Sequence, residues 1–230
     1  MPQTPLNKRL MISTENTHKL AEMQAYFNEQ SLGIEVVLPD SLVGLEETGK
    51  TFVDNAILKV QFVQTQAQQA QCDWVLGDDS GFSVAALAGM DGLPLFPGVY
   101  SNRWLTPQRR ATLLGAETVA LTEPITHPHR CMGIFALLGE TPKRQGAYHC
   151  AMALLTVATG NIQTVEGICP VHISEKPILL GTNGFGYDPM VYPVLDSGIS
   201  HKTMAQWSMA EKNTISHRGK ALQQLLPYLK

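Results

Sequence analysis

Cysteine, charge of one sign and long apolar runs are all scarce in this sequence. The four cysteines, Cys72, Cys131, Cys150 and Cys169, are scattered and form no C-x-x-C pair. Such spacing suits reduced thiols in a cytosolic protein better than a disulfide framework or a zinc knuckle. Lysine and arginine total 17 against 20 aspartate and glutamate, a formal net charge of -3. A dedicated nucleic-acid surface usually carries a basic excess, so no nucleic-acid partner is expected, while a small anionic substrate still fits. The opening MPQTPLNKRLMIST places Lys8 and Arg9 before only a very short apolar stretch, the pattern of neither a signal peptide nor a membrane span. A soluble, cytoplasmic protein with no membrane contact is expected. The phosphate loop G-x-x-x-x-G-K-[ST] is also missing.

What is present is a chain of 230 residues, 44% of them hydrophobic, ample for a core in one domain or two closely joined lobes. Arg9 to Ser13 reads as a short strand, followed by a helix with Leu20, Met23, Tyr26 and Phe27 at helical spacing. Ile34 to Leu38 suggests a second strand. Thr51 is a plausible N-cap for a helix through Ala56 and Val60. Trp74 to Leu76 predicts a buried strand stopping at Gly77, and Gly89 to Pro97 a loop. Thr106-Pro107 can open a further helix. Cys131 to Leu138 and Ala147 to Val157 read as two strands of a hairpin joined by GETPKRQG, with Ile162 to Ile168 another strand. Gly181 to Pro189 is irregular, and a closing helix from Ser208 breaks near Ser216 to Gly219. The mixture predicts an α/β fold with a mixed sheet.

Five polar segments stand out. In Gly77-Asp78-Asp79-Ser80-Gly81, adjacent carboxylates after a buried strand repel one another unless a cation or strong donors are near. Oxygen ligands of this kind suit Mg²⁺, which keeps waters and bridges to phosphates; a plain Asx turn is the alternative. Glu46 and Glu47 precede the helix bearing Asn55 and Lys59, which lie four apart on one face. Thr14, Asn16 and Lys19 at a helix amino terminus form a phosphate cradle or merely a cap. Gly184-Phe185-Gly186-Tyr187-Asp188 exposes an aromatic between glycines, as a base-stacking platform requires. Lys212, His217 and Arg218 lie close together, suited to an anion or a carbonyl. His127, His129 and Cys131 alternate as if on one strand face, but no fourth metal ligand is evident.

Taken in order, TENTHK, EETGKTFVDNAILK, GDDSGF, PGVYSNRW, GFGYDP and KTMAQWSMAEKNTISHRGKAL span residues 14 to 222. With these segments the chain resembles the inosine triphosphate pyrophosphatase family, which hydrolyses non-canonical purine nucleoside triphosphates. The resemblance implies a single domain over 1–230, built as an elongated α/β fold of two lobes about a central cleft, and a homodimer. It implies that ITP, dITP or XTP and water give the monophosphate and pyrophosphate. It makes Asp79 the catalytic acid–base residue and a Mg²⁺ ligand, with Glu47 and Glu46 completing the acidic surroundings. Ser80 would touch substrate, and Thr14, Asn16, Lys19, Lys59 and Lys212 would hold the triphosphate. Phe185 would stack on the base beside Gly186, Tyr187 and Asp188, while His217 and Arg218 read the edge of a 6-oxo purine.

The chain departs from the family pattern in places. Glu15 stands where the T-G-N turn has glycine and is expected to point away from the triphosphate. Met90 to Phe96 is longer than the usual connection, residues 120–146 are enlarged, and Asn183 replaces a frequent glycine. The rival readings are a Maf-like pyrophosphatase with another base preference and a non-catalytic nucleotide-binding protein. SHRG argues against the first, and the retained Glu47, Asp79 and Lys19 against the second.

Overall fold

The computed structural model describes residues 8–115, 122–184 and 186–229. Its strands and helices follow in the order β1 (Lys8–Ile12), α1 (Thr17–Glu29), β2 (Ile34–Val37), α2 (Phe52–Phe62), α3 (Gln64–Gln69), β3 (Trp74–Val84), β4 (Pro97–Gly98), α4 (Pro107–Leu114), α5 (His127–Leu138), β5 (Gln145–Thr156), β6 (Ile162–Ile173), β7 (Val191–Leu195), β8 (Gly198–Ile199), α6 (Met209–Ile215) and α7 (His217–Leu225). The sheet runs β2-β1-β3-β5-β6-β7-β8, with β4 paired to β3. β1 is parallel to both β2 and β3, whereas β3–β4, β6–β7 and β7–β8 are antiparallel, so the sheet is mixed as expected. Among the described residues, no helix is long and apolar enough to cross a membrane.

The chain divides into two compact units. The first comprises residues 1–80, 150–167 and 217–230, the second residues 81–149 and 168–216. In the first, Leu10, Ile12, Met23, Phe27, Leu76, Met152 and Leu222 form the core. In the second the core gathers Phe82, Phe96, Trp104, Ile134, Tyr148, Val171 and Met190. Burial of such side chains, at roughly 1.5–3 kcal/mol each, is the main force holding each unit together.

Two expected elements differ in the structure. The run from Cys131 to Leu138 is the body of α5, not a strand. Its buried residues Cys131, Ile134, Phe135 and Leu138 fall at helical spacing, a period that β-rich composition conceals. Thr126 caps the helix in a reciprocal box with His129, and Pro128 occupies the first turn. GETPKRQG therefore links a helix to a strand, and His127, His129 and Cys131 do not share a strand face. The second difference is β3, which does not stop at Gly77 but continues through both aspartates to Val84. The longer Met90–Phe96 segment folds back on itself, with Gly89 N–H donating to the Leu93 carbonyl at 2.8 Å and Phe96 fully buried. Part of the enlarged 120–146 region lies outside the described residues.

Candidate active site

Because β3 runs on through the acidic pair, Asp78 and Asp79 are consecutive strand residues and project to opposite faces of the sheet. They are thereby given different partners. Asp78 is 2% exposed; its Oδ1 meets Lys19 Nζ at 2.9 Å and its Oδ2 meets Arg218 at 3.2 Å. Burial works against its charge, but Lys19 and Arg218 outweigh burial and hold the carboxyl well below the usual carboxylate range. Asp79 accepts from Asn55 Nδ2 at 2.8 Å and from Lys59 Nζ at 3.3 Å. Here burial prevails over Lys59 and Asn55, and the carboxyl holds its proton more tightly than a free aspartate.

Lys59 organises the Asp79 side. Its ammonium lies 2.7 Å from Glu47 Oε1, 3.3 Å from Asp79 Oδ1 and 2.9 Å from the Asp78 carbonyl. Burial acts to lower its affinity for a proton, but Asp79, Asp78 and Glu47 together raise it. The approach of α2 to β3 depends on Gly77: a Cβ there would sit 2.7 Å from the Ala56 carbonyl oxygen and 3.0 Å from Lys59 Cβ. Asn55, fully buried, accepts from Gly49 N–H at 2.8 Å while donating to Asp79, and so ties the Glu47 loop to the strand. Glu46 is exposed, whereas Glu47 turns inward to Lys59.

Glu47 and Asp79 thus approach one cationic nitrogen, and carboxylate oxygens of this kind also suit a hard divalent cation. Among the described residues, no three carboxylate, histidine or cysteine side chains converge as a metal cage. A divalent cation at Asp79 and Glu47 would need further ligands from water or substrate, a coordination habit of Mg²⁺.

At the start of α1, Asn16 is the N-cap, its Oδ1 accepting from His18 N–H at 3.0 Å and Lys19 N–H at 3.2 Å. Thr14 Oγ1 accepts from Asn16 N–H at 3.1 Å. The cap uses acceptor atoms only, and it aims Lys19 at Asp78 on β3. Glu15 is exposed and, with Asp40 and Ser41, lines a surface cavity of about 290 Å³.

Arg218, expected to read a base edge, is 1% exposed, and its guanidinium is engaged by Glu22, by Asp78 and by Ser80 Oγ at 3.1 Å. Burial disfavours its charge, but Asp78 and Glu22 hold the proton on more firmly than usual. Ser80 is accordingly an acceptor for Arg218, and His217, half-buried, opens α7. Gly167 of β6 admits that helix start, since a Cβ would overlap the His217 carbonyl oxygen.

The second unit holds the remaining candidates. Lys212 donates to Asp188 Oδ2 at 2.9 Å and to the Asn183 carbonyl at 3.3 Å. Asp188 Oδ1 accepts from the Tyr148 hydroxyl at 2.7 Å. Gly184 and Gly186 both adopt left-handed conformations that a side chain resists, with φ of 95° and 68°. Tyr187, expected to touch substrate, has a buried side chain. Its hydroxyl accepts from Trp104 Nε1 at 2.8 Å and donates to the Ser101 carbonyl at 2.7 Å, and its ring stacks on Phe82 at 4.6 Å. Phe185 lies outside the described residues.

Sequence reasoning missed Glu22, Cys150 and Tyr148. Glu22 is three residues beyond Lys19 on α1, a spacing that places both on one helix face. Cys150, whose Sγ lies 3.7 Å from Asp78 Oδ2, and Tyr148 carried no signal beyond an apolar strand.

The model of the Ham1 family matches residues 10–228. A dITP/XTP pyrophosphatase from a Nostoc species is 34% identical over 222 residues, covering 96% of this chain and 94% of that protein. One from a Synechocystis species is 33% identical, covering 94% and 93%. Among solved structures, a HAM1 protein from Coxiella burnetii superposes with a TM-score of 0.71 at 31% identity, covering 96% of this chain and 98% of that one. The Staphylococcus aureus Ham1 protein gives 0.69 at 29% identity, with the same coverage. The chain belongs to the Ham1 family.

Proposed function

We propose that this protein hydrolyses dITP, ITP and XTP to the nucleoside monophosphate and pyrophosphate, as the names of its dITP/XTP pyrophosphatase relatives suggest. The observation that carries the reading is the placing of Asp79 and Glu47 about one Lys59 ammonium. Binding a triphosphate does not need such an acidic pair; moving a proton from water beside a cation does.

Asp79 takes the proton of the water that attacks the α-phosphorus. Its burial favours that role, because a carboxyl with raised proton affinity is a stronger base. Asn55 keeps the accepting carboxylate in one orientation. Lys59 and Lys19 neutralise charge growing on the departing pyrophosphate, with Thr14 and Asn16 donating to phosphate oxygens. Asp79 and Glu47, with Glu46 in their surroundings, would hold Mg²⁺, which supplies charge neutralisation at the phosphates when bound. Ser80 is held by Arg218 next to Asp79 in sequence, and through it Arg218 takes part in substrate contact. Lys212 offers its ammonium to the triphosphate. Phe185 stacks on the base beside Gly186, Tyr187 and Asp188, and a donating His217 favours a 6-oxo purine over adenine. A single domain of two lobes and a homodimer accompany this reading through the family resemblance, and the scattered cysteines suit a cytoplasmic location.

The test is a pyrophosphate-release assay with Mg²⁺ over a nucleotide panel. Turnover of dITP and XTP, with ATP and GTP much poorer, is expected. Release of orthophosphate alone would refute the bond cleaved, and no turnover of any nucleotide would leave a binding protein.

A further inference from the structure

We propose that Tyr148 is a positioning residue that sets substrate affinity through Asp188 and Lys212; this rests on the reading of the chain as a nucleoside triphosphate pyrophosphatase. The Tyr148 hydroxyl donates to Asp188 Oδ1 at 2.7 Å, and the other carboxylate oxygen takes Lys212 at 2.9 Å. Both oxygens of Asp188 are thereby fixed, so the carboxylate cannot turn. Lys212 has a further protein acceptor in the Asn183 carbonyl at 3.3 Å. An ammonium has three N–H bonds, and two anchored acceptors direct the third. Above the pair, the backbone passes at Gly184, where a Cβ would overlap both Asp188 Oδ2 and Lys212 Nζ.

The phenol itself is held. Tyr148 is 7% exposed and its ring lies 5.2 Å from that of Phe82, which stacks in turn on Tyr187. Burial and the neighbouring Asp188 push its proton affinity well above that of a free phenol, so it remains a donor throughout the working pH range. Charge in this group resides on Asp188 and Lys212, and direction is supplied by Tyr148. Losing the hydroxyl leaves the Lys212–Asp188 pair in place but removes the donor that fixes Asp188 Oδ1.

The test is Tyr148→Phe, which removes one oxygen and keeps the ring against Phe82. For dITP, KM should rise about tenfold, the scale of one charge-assisted hydrogen bond, with kcat within about twofold of wild type. In a Lys212→Met background the same substitution should change KM by less than about twofold, because the group it directs is gone. An unchanged KM in Tyr148→Phe overturns the proposal. So does a full tenfold effect persisting in Lys212→Met, or a loss confined to kcat. A wild-type enzyme that releases no pyrophosphate refutes the underlying functional reading instead, so the two failures are distinguishable.

Discussion

Replacing Asp78 with asparagine should cost stability, whereas the same change at Asp79 should cost activity. Asp78 is 2% exposed and lies between Lys19 and Arg218 at 2.9 and 3.2 Å. Removing one partner of a buried ion pair costs about 3–5 kcal/mol, because the opposite charge stays buried without compensation. Glu22 still holds Arg218, and Lys19 is partly exposed, so the low end of about 3 kcal/mol is expected. In a chain of this size each kcal/mol moves Tm by about 2–4 °C, giving a fall of about 6–12 °C by calorimetry at pH 7. The folded-state affinity of Asp78 for a proton lies below that of the unfolded chain. Its stabilisation is therefore fully present above the unfolded value near ~3.9 and lost only as pH falls through the depressed folded one. The difference between wild type and Asp78→Asn should accordingly be as large at pH 5.5 as at pH 7, and should survive high salt because the pair is buried. Asp79 has the opposite sign: its folded affinity is raised, so its charge lowers stability at neutral pH. Asp79→Asn should melt at or above wild type while kcat falls about 10²–10⁴-fold. An Asp78→Asn protein melting within about 2 °C of wild type would refute the division of labour between the two aspartates.

Three further outcomes follow from the packing. Gly77→Ala forces a Cβ against the Ala56 carbonyl, a backbone atom that cannot swing aside, and should lose about 1–3 kcal/mol in urea unfolding; wild-type stability would mean that α2 can shift freely. Asn55→Leu strips Asp79 of a donor and leaves Gly49 N–H without its acceptor. It should destabilise by about 1–3 kcal/mol and reduce kcat at least as strongly as it raises KM, checked by parallel urea and steady-state measurements. Burial pushes the Cys131 thiol up to about 12, and Cys150 higher still. Native protein at pH 8 should therefore leave both unlabelled by a disulfide reagent in peptide mapping, and rapid labelling of Cys131 would show that its surroundings open.

The first half of the fold is legible because its signals are local. Asn16 and Thr51 are caps recognisable from residue type, and both open the helices expected. The failure at Cys131–Leu138 arises where two patterns compete. Isoleucine, phenylalanine and leucine in a short run suit a strand, and only the i, i+3, i+4, i+7 placing of the buried residues, with Thr126 and Pro128 ahead of them, identifies a helix. Gly77 misled in the other direction. Glycine after a buried apolar run suggests an end, but here it serves the close passage of α2 while β3 continues.

That continuation explains why the site was only partly legible. Two aspartates in a turn have no fixed relation, so their spacing does not separate their roles, and only the family resemblance singled out Asp79. In a strand they must face opposite ways, and each face then meets what the sheet order brings there. Lys19 arrives from the helix after β1 and Arg218 from the last helix, and they neutralise Asp78. Asn55 and Lys59 arrive from α2 on the other side and leave Asp79 buried with raised proton affinity. Residue types in five separated segments were enough to nominate the candidates. The long-range pairings were not readable, because Arg218 and Asp78 are 140 residues apart and nothing local marks an arginine as a counter-ion rather than a reader of substrate. The same holds for Tyr148, whose one polar atom acquires significance only once β5 carries it to Asp188. A basic residue in a polar motif is thus best judged by what is buried opposite it: Arg218 faces the carboxylates of Glu22 and Asp78 and donates to Ser80.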